Sequence, residues 1–269
     1  MTGPTRSDKL ALTDIALFLD VDGTLLEIAA SPQAVSVSDD VRERLQELFR
    51  AGGGAVALVS GRALTDLDAL FTPMKLPSAG LHGFERRGAS GAYGRRPLPS
   101  AAALQDARVA MLDLAQRHPG LLVEDKRFAL ALHYRKAPHL KEAVMKAMEE
   151  VSARLAGELE LQHGKMVVEL RPAGATKAEA VGAFLAEAPF AGRRPVFIGD
   201  DLTDEPAFEL VNRLDGLSVV VGPTRPSAAH ARLADVNAVH GWLAQLQAEP
   251  AAALDQLSAP RGARLRSQS

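Results

Sequence analysis

No cysteine occurs among the 269 residues. That absence removes disulfide frameworks, thiolate metal sites and cysteine nucleophiles together. Positive charge is not in excess either: 31 Lys and Arg stand against 33 Asp and Glu, a formal charge of −2. No overall basic field therefore draws in nucleic acid or an anionic membrane. No uninterrupted apolar stretch approaches the ~18 residues that a membrane span needs. Met1 to Asp14 is polar and mixed in charge, and the first apolar run stops at an aspartate, which no secretory leader would do. A cytoplasmic protein is expected, with neither nucleic acid nor membrane as partner, and a monomer is favoured. Aromatics make up only 4% of residues, so aliphatic side chains must build the core. With 47% hydrophobic and 24% charged residues, the composition is that of an ordinary globular chain, long enough for one large domain or two moderate ones.

What is present is a rhythm of short apolar runs bounded by turn residues. They fall at Ile15–Leu19, Ala55–Val59, Val196–Ile198 and Val219–Val221, with helical patterns such as Asp39–Arg50, Ala63–Phe71, Lys177–Ala188 and Glu205–Arg213 between them. Continuous apolar strands alternating with helices predict an α/β fold with a doubly wound, Rossmann-like parallel sheet covered on both faces. Right-handed crossovers then put a ligand site beyond the carboxyl ends of the strands. Asp20 follows the first run, Ser60 the second, and Gly199, Asp200 and Asp201 the third.

From Pro97 to Arg171 the pattern changes. A helix-like segment (Ala101–His118) precedes two strand-like runs, Leu121–Lys126 and Ala129–Arg135; a second (Leu140–Leu155) precedes Glu158–Gln162 and Lys165–Arg171. Strand after strand with short turns means antiparallel pairing, hence an inserted α+β module. Alternation puts Glu124 with Lys126, His133 with Arg135, and Lys165 with Val167 and Glu169 on shared faces. One face of the small sheet is thus unusually polar, for which a solvated outer face is the ordinary explanation. The expected organisation is a core over 1–98 and 172–247, the insert over 99–171, and a disordered tail over 248–269.

Two acidic segments carry the chemistry. Asp20-Val21-Asp22-Gly23-Thr24 ends a buried strand, where a carboxylate is costly unless it is paired or holds a cation. Two carboxylates one residue apart suit a nucleophile and a proton donor around a hard metal; a helix cap followed by a turn is the alternative. Asp200, Asp201, Asp204 and Glu205 crowd four acids into six positions, which repel one another unless a divalent cation or a basic neighbour offsets them. Helix capping explains part of Asp204 and Glu205 but not Asp200 and Asp201. Ser60-Gly61-Arg62 opens a helix, where a hydroxyl and free N–H groups can hold a phosphate oxygen. Lys177 follows the N-cap candidate Thr176; a cation there opposes the helix dipole unless an anion is bound, making it a candidate partner for Asp20 and phosphate.

In that order, the acidic pair, Ser60, Lys177 and the acidic cluster resemble the four motifs of the haloacid dehalogenase superfamily. Five further strings, Gly80-Leu81-His82-Gly83-Phe84-Glu85-Arg86, Glu124-Asp125-Lys126, His133-Tyr134-Arg135, Gly164–Pro172 and Gly199–Glu205, resemble those of the trehalose-6-phosphate phosphatase family. The resemblance covers about Ile15 to Trp242 and makes the insert the family's cap domain. One departure is Thr176-Lys177-Ala178, where the family usually has Asn-Lys-Gly. The resemblance implies hydrolysis of trehalose 6-phosphate, with Asp20 as nucleophile and Asp22 as general acid and base. It implies Mg²⁺ held by Asp20, the backbone carbonyl of Asp22 and Asp200, with Asp201 and Asp204 acting through water or from behind. Ser60 and Lys177 would stabilise the phosphoryl oxygens. Gly61, Arg62, His82, Glu124, Lys126, Arg135, Lys165 and Glu169 would bind substrate, the last five from the cap. A phosphatase or mutase of the same superfamily acting on another sugar phosphate and a catalytically silent sugar-phosphate-binding module are the rival readings.

Overall fold

Two sheets organise the chain in the computed structural model, which describes residues 10–28, 35–97, 99–126, 128–155 and 157–258. In chain order the elements are β1 (Ile15–Leu19), α1 (Asp39–Ala51), β2 (Val56–Val59), α2 (Leu64–Leu70), β3 (Ser78–Gly80), β4 (Glu85–Arg87) and β5 (Tyr93–Arg95). The insert follows as α3 (Ala101–Arg117), β6 (Leu122–Asp125), β7 (Leu130–His133), α4 (Lys141–Arg154), β8 (Leu159–Gly164) and β9 (Val167–Pro172). The chain returns through α5 (Lys177–Leu185), β10 (Arg194–Gly199), α6 (Glu205–Arg213), β11 (Leu217–Val221), β12 (Ala231–Leu233), α7 (Val236–Ala248) and α8 (Pro250–Ser258).

The large sheet runs β12-β11-β10-β1-β2-β3-β4-β5, parallel as far as β3 and antiparallel beyond it. Every residue of β1 is buried, because the strand is covered on both faces. Ile15, Leu17 and Leu19 pack with residues of α1, α7 and α8, whereas Ala16 and Phe18 point the other way, among Val181 and Phe184 of α5 and Phe208 of α6. Phe18 also stacks on Phe190 with ring centroids 5.5 Å apart. This two-sided burial fixes β1 between β10 and β2 and delivers Asp20 to the middle of the sheet's carboxyl edge. No helix among the described residues is long and apolar enough to cross a membrane.

The insert forms its own antiparallel sheet, β6-β7-β9-β8. Met111 and Leu114 of α3 and Val144 and Met148 of α4 cover one face, against Leu130, Leu132, Val168 and Leu170. On the other face the register aligns Glu124, Ala131, Glu169 and Gln162 in one row and Leu122, His133, Val167 and Gly164 in the next. This polar face is not a solvated surface, since Glu169 is buried and the face closes over the carboxyl edge of the large sheet.

Two differences from the sequence reading stand out. Residues 248–258 are not a disordered tail: α8 buries Ala253, Leu254 and Leu257 against the large domain, and the Trp242 indole N–H donates to the Ala253 carbonyl at 2.9 Å. The rest of that tail, 259–269, lies outside the described residues. Short strands β3, β4, β5 and β12 extend the sheet where no apolar run announced them.

Candidate active site

Three loops at the carboxyl ends of β1, β2 and β10 meet the N-terminus of α5. Thr176 caps that helix, accepting from the Glu179 N–H at 3.2 Å, and so starts α5 at Lys177. The Lys177 ammonium lies 2.8 Å from Asp20 Oδ1 and 2.6 Å from Asp204 Oδ1. All three side chains are buried. Burial pushes the Asp20 carboxyl well above the usual carboxylate range although Lys177 pulls against it. Burial opposes charge on Lys177 as well, but Asp20 and Asp204 outweigh it and raise its pKa. Burial, reinforced by the Asp204 charge, pushes Asp200 up to about 7.

Carboxylate oxygens of Asp20, Asp200 and Asp204 lie within 4.8 Å of one another. Asp200 Oδ1 is buried and makes no hydrogen bond among the described residues. A hard divalent cation fits this donor set, because it supplies the missing partner and offsets the crowded charge. Gly23 permits the approach of Asp200: its φ is +83°, and a Cβ there would sit 2.2 Å from Asp200 Oδ2. Both oxygens of Asp204 are already engaged, Oδ1 by Lys177 and Oδ2 by the Asp201 N–H at 2.9 Å. Asp201 in turn accepts from the Leu202 N–H at 2.7 Å. Glu205 accepts from Arg225, the Ser227 hydroxyl and the Ala228 N–H, so the fourth acid anchors the following loop. Arg225, which sequence reasoning missed, also donates to the carbonyls of Asp200 and Asp201 at 3.2 and 3.1 Å.

Asp22 is gripped by Arg62 in a bidentate pair, Nε to Oδ2 at 2.7 Å and Nη2 to Oδ1 at 2.6 Å. Ser60 is buried and its hydroxyl accepts from the Arg62 N–H at 3.1 Å. The turn after β3 moulds this loop: Leu81 N–H donates to the Arg62 carbonyl and His82 N–H to the Ser60 carbonyl, each at 2.9 Å.

The polar face of the insert closes the site from above. Lys126 reaches down to the Gly61 carbonyl at 3.1 Å and across to Glu169 Oε2 at 2.8 Å, while His82 Nε2 is 3.5 Å from the same oxygen. Burial alone would raise Glu169, but Lys126 and His82 outweigh it and hold its pKa down to about 2. Glu124 pairs with His133 at 2.8 Å, and Arg135 donates to the Lys165 carbonyl at 3.2 Å. One cavity is lined by Asp20, Asp22, Ser60, Gly61, Arg62 and His82 from the core, Lys177, Asp200 and Asp201 beside them, and Glu124, Lys126, Arg135, Lys165 and Glu169 from the insert. Asp204, fully buried, stands behind the lining. His133, Gln162 and Thr203 line the cavity too and were not singled out as site residues. His133 shares the alternation of Arg135, and Gln162 lies opposite Glu169 in register, a signal that requires the strand pairing.

A family model described as trehalose-phosphatase matches residues 18–237. The trehalose-6-phosphate phosphatase of Escherichia coli K12 is 45% identical over 243 residues, 90% of each chain. A probable trehalose-phosphate phosphatase of Sinorhizobium fredii is 44% identical over 87% of this chain and 88% of its own. Among solved structures, the C-terminal domain of the trehalose-6-phosphate phosphatase of C. albicans superposes with a TM-score of 0.80 at 23% identity, covering 88% of this chain and 92% of that one; at that identity the likeness speaks for the fold. The match spans both parts of the core and the insert between them: the chain belongs to the trehalose-phosphatase family.

Proposed function

We propose that this protein hydrolyses trehalose 6-phosphate to trehalose and phosphate, with Mg²⁺, in the cytoplasm. One observation carries the reading. In a buried carboxylate–ammonium–carboxylate array, Asp20–Lys177–Asp204, Asp20 and Lys177 form the floor of a cavity whose roof is a charged sheet face, with Asp204 behind them. The floor suits a phosphoryl group, and the roof, lined by Glu124, Lys126, Arg135, Lys165 and Glu169, suits a polyhydroxyl body.

Asp20 attacks phosphorus; a P–O bond forms to its carboxylate as the bond to the sugar oxygen breaks. Asp22, once freed from Arg62 and protonated from solvent, gives that oxygen its proton, then takes one from the water that attacks the aspartyl-phosphate, releasing phosphate and restoring Asp20 and the protonated Asp22. Arg62 must yield the Asp22 carboxylate for this exchange, and its guanidinium is then available to the substrate. Ser60 and Lys177 stabilise charge on the transferring oxygens, where phosphoryl-transfer enzymes act most. Asp20, Asp200 and the Asp22 carbonyl are the groups that would hold Mg²⁺, supplying Lewis-acid stabilisation of the phosphoryl oxygens. Asp204 and Asp201 orient these groups from behind, through Lys177 and the acidic loop. The insert acts as a cap: Glu124, Lys126, Arg135, Lys165 and Glu169 bind sugar hydroxyls and exclude water as the cleft closes.

Phosphate release from a panel of phosphosugars tests the proposal. Release from trehalose 6-phosphate that disappears with EDTA and returns with Mg²⁺ is expected. An isomerised phosphosugar would favour a mutase, and binding without turnover a silent module.

A further inference from the structure

His82 stands where the two modules meet, and its geometry differs from that of a sugar ligand. Leu81 and His82 both adopt left-handed backbone conformations, with φ of 48° and 57°, a region that side-chain-bearing residues occupy at a cost and that clusters at functional turns. The conformation aims two consecutive N–H groups at the carbonyls of Arg62 and Ser60. It also brings the imidazole against Gly61, so closely that a Cβ on Gly61 would lie 2.8 Å from both Cε1 and Nε2. Nε2 then faces Glu169 Oε2 at 3.5 Å, and the same oxygen takes Lys126, whose ammonium returns to the Gly61 carbonyl. A closed circuit results: Gly61, Lys126, Glu169, His82 and back to Gly61. Lys126 and Glu169 belong to the insert, Gly61 to the Ser60–Arg62 loop and His82 to the turn after β3.

We propose that His82 is a positioning residue, tying Glu169 of the insert to the Ser60–Arg62 loop so that sugar recognition and phosphate binding are held in one register. This deepens the functional reading above and rests on it. The tie requires the imidazole proton on Nε2, which faces the Glu169 carboxylate at 3.5 Å, whereas Nδ1, buried, has no hydrogen-bond partner among the described residues. Burial lowers the imidazole pKa in spite of Glu169, in keeping with a neutral ring at pH 7. The role is indirect. His82 acts through Glu169, and its loss should be felt in proportion to how much a substrate depends on the insert.

The test uses the Mg²⁺-loaded enzyme and four variants, His82→Asn, His82→Gln, Glu169→Gln and the double variant His82→Asn with Glu169→Gln. His82→Asn tolerates the left-handed turn and keeps the backbone N–H, but its short amide cannot reach Glu169; His82→Gln restores a donor near the Nε2 position. Relative to wild type, His82→Asn should lower the ratio of kcat/KM for trehalose 6-phosphate to that for p-nitrophenyl phosphate by roughly tenfold or more, a loss expected when a buried polar contact is left unmade. His82→Gln should recover most of that ratio. Combined with Glu169→Gln, His82→Asn should add little, because contacting residues that act together are not additive. Equal losses on both substrates, an unchanged ratio, or full additivity would each overturn the proposal. A ¹⁵N spectrum of histidine-labelled protein supplies a readout free of turnover: the Nε2–H tautomer for His82, with its Nε2 signal moved by Glu169→Gln. An Nδ1–H tautomer or an unmoved signal would refute the link even if His82→Asn failed to fold. Absence of trehalose 6-phosphate hydrolysis by the wild-type enzyme would instead defeat the functional reading and leave the spectroscopic test standing.

Discussion

Replacing Lys177 with Met removes a cation and keeps the length of the side chain, so the charge beneath the site changes while the packing does not. Asp20 and Asp204 have side-chain exposures of 6% and 0% and share this ammonium at 2.8 and 2.6 Å. Breaking a buried ion pair from one side typically costs about 3–5 kcal/mol, since the remaining charge is left uncompensated in a poor solvent. For a chain of this size each kcal/mol moves Tm by roughly 2–4 °C, so Lys177→Met should melt about 10 °C below wild type in metal-free buffer. Two additions should return part of the loss. Mg²⁺ can offset the same carboxylates, and Asp204→Asn in the same chain removes one of the stranded charges while its amide oxygen can still accept the Asp201 N–H. Thermal unfolding followed by circular dichroism, with and without Mg²⁺, measures all four conditions. A metal-free variant melting within about 2 °C of wild type would refute the reasoning, because the array could not then be holding ionised carboxylates together.

Asp20→Asn should lower turnover by at least about three orders of magnitude, because the amide cannot form the covalent intermediate, while the circular dichroism spectrum remains that of wild type; turnover within about tenfold would exclude Asp20 as nucleophile. Glu169 is held at a pKa of about 2 against ~4.3 in an unfolded chain. A lowered folded value contributes stability above the unfolded pKa and loses it as pH falls toward the folded one, and the shift is worth about 3 kcal/mol. Wild type should therefore exceed Glu169→Gln in denaturant midpoint at pH 6, with the gap falling by about half by pH 3; a gap that does not change with pH would show that Glu169 is not ionised in its pair.

The parts of the fold legible in the sequence are those whose burial imposes a pattern. Ile15–Leu19 reads as a strand because both of its faces are covered, and Leu130–His133 and Val167–Pro172 because alternation separates the helix-covered face from the polar one. Ser78-Ala79-Gly80 carries no such pattern: small residues are buried there by neighbours, and strand identity comes from pairing with β2 and β4. Glu85-Arg86-Arg87 reads as a polar loop, yet its arginines are neutralised by Glu187 and Asp68, partners remote in sequence. The docking of α8 is hard to read because its apolar stripe is made of small residues, with Leu254 and Leu257 alone giving it bulk. In the site, the carboxylates were visible because such groups are costly at buried strand ends unless paired or holding a cation, and Lys177 because a cation at a helix N-terminus opposes the dipole unless an anion is bound. The Arg62–Asp22 pair and the Arg225 brace were not, since each joins loops brought together by tertiary folding alone.

Comparing kcat/KM for trehalose 6-phosphate and glucose 6-phosphate on the wild-type enzyme tests the central claim most directly, that the core cleaves phosphate while the insert reads a disaccharide. Glucose 6-phosphate offers the same phosphate and one sugar ring. It would leave several of Glu124, Lys126, Arg135, Lys165 and Glu169 without hydroxyl partners in a closing cleft, at roughly 1–3 kcal/mol for each buried polar group left unsatisfied. Preference for trehalose 6-phosphate by ~10³-fold or more is predicted, the regime in which fixed polar partners reject an analogue lacking theirs. Comparable rates on the two substrates would contradict the claim and leave the polar roof of the cavity without its assigned purpose.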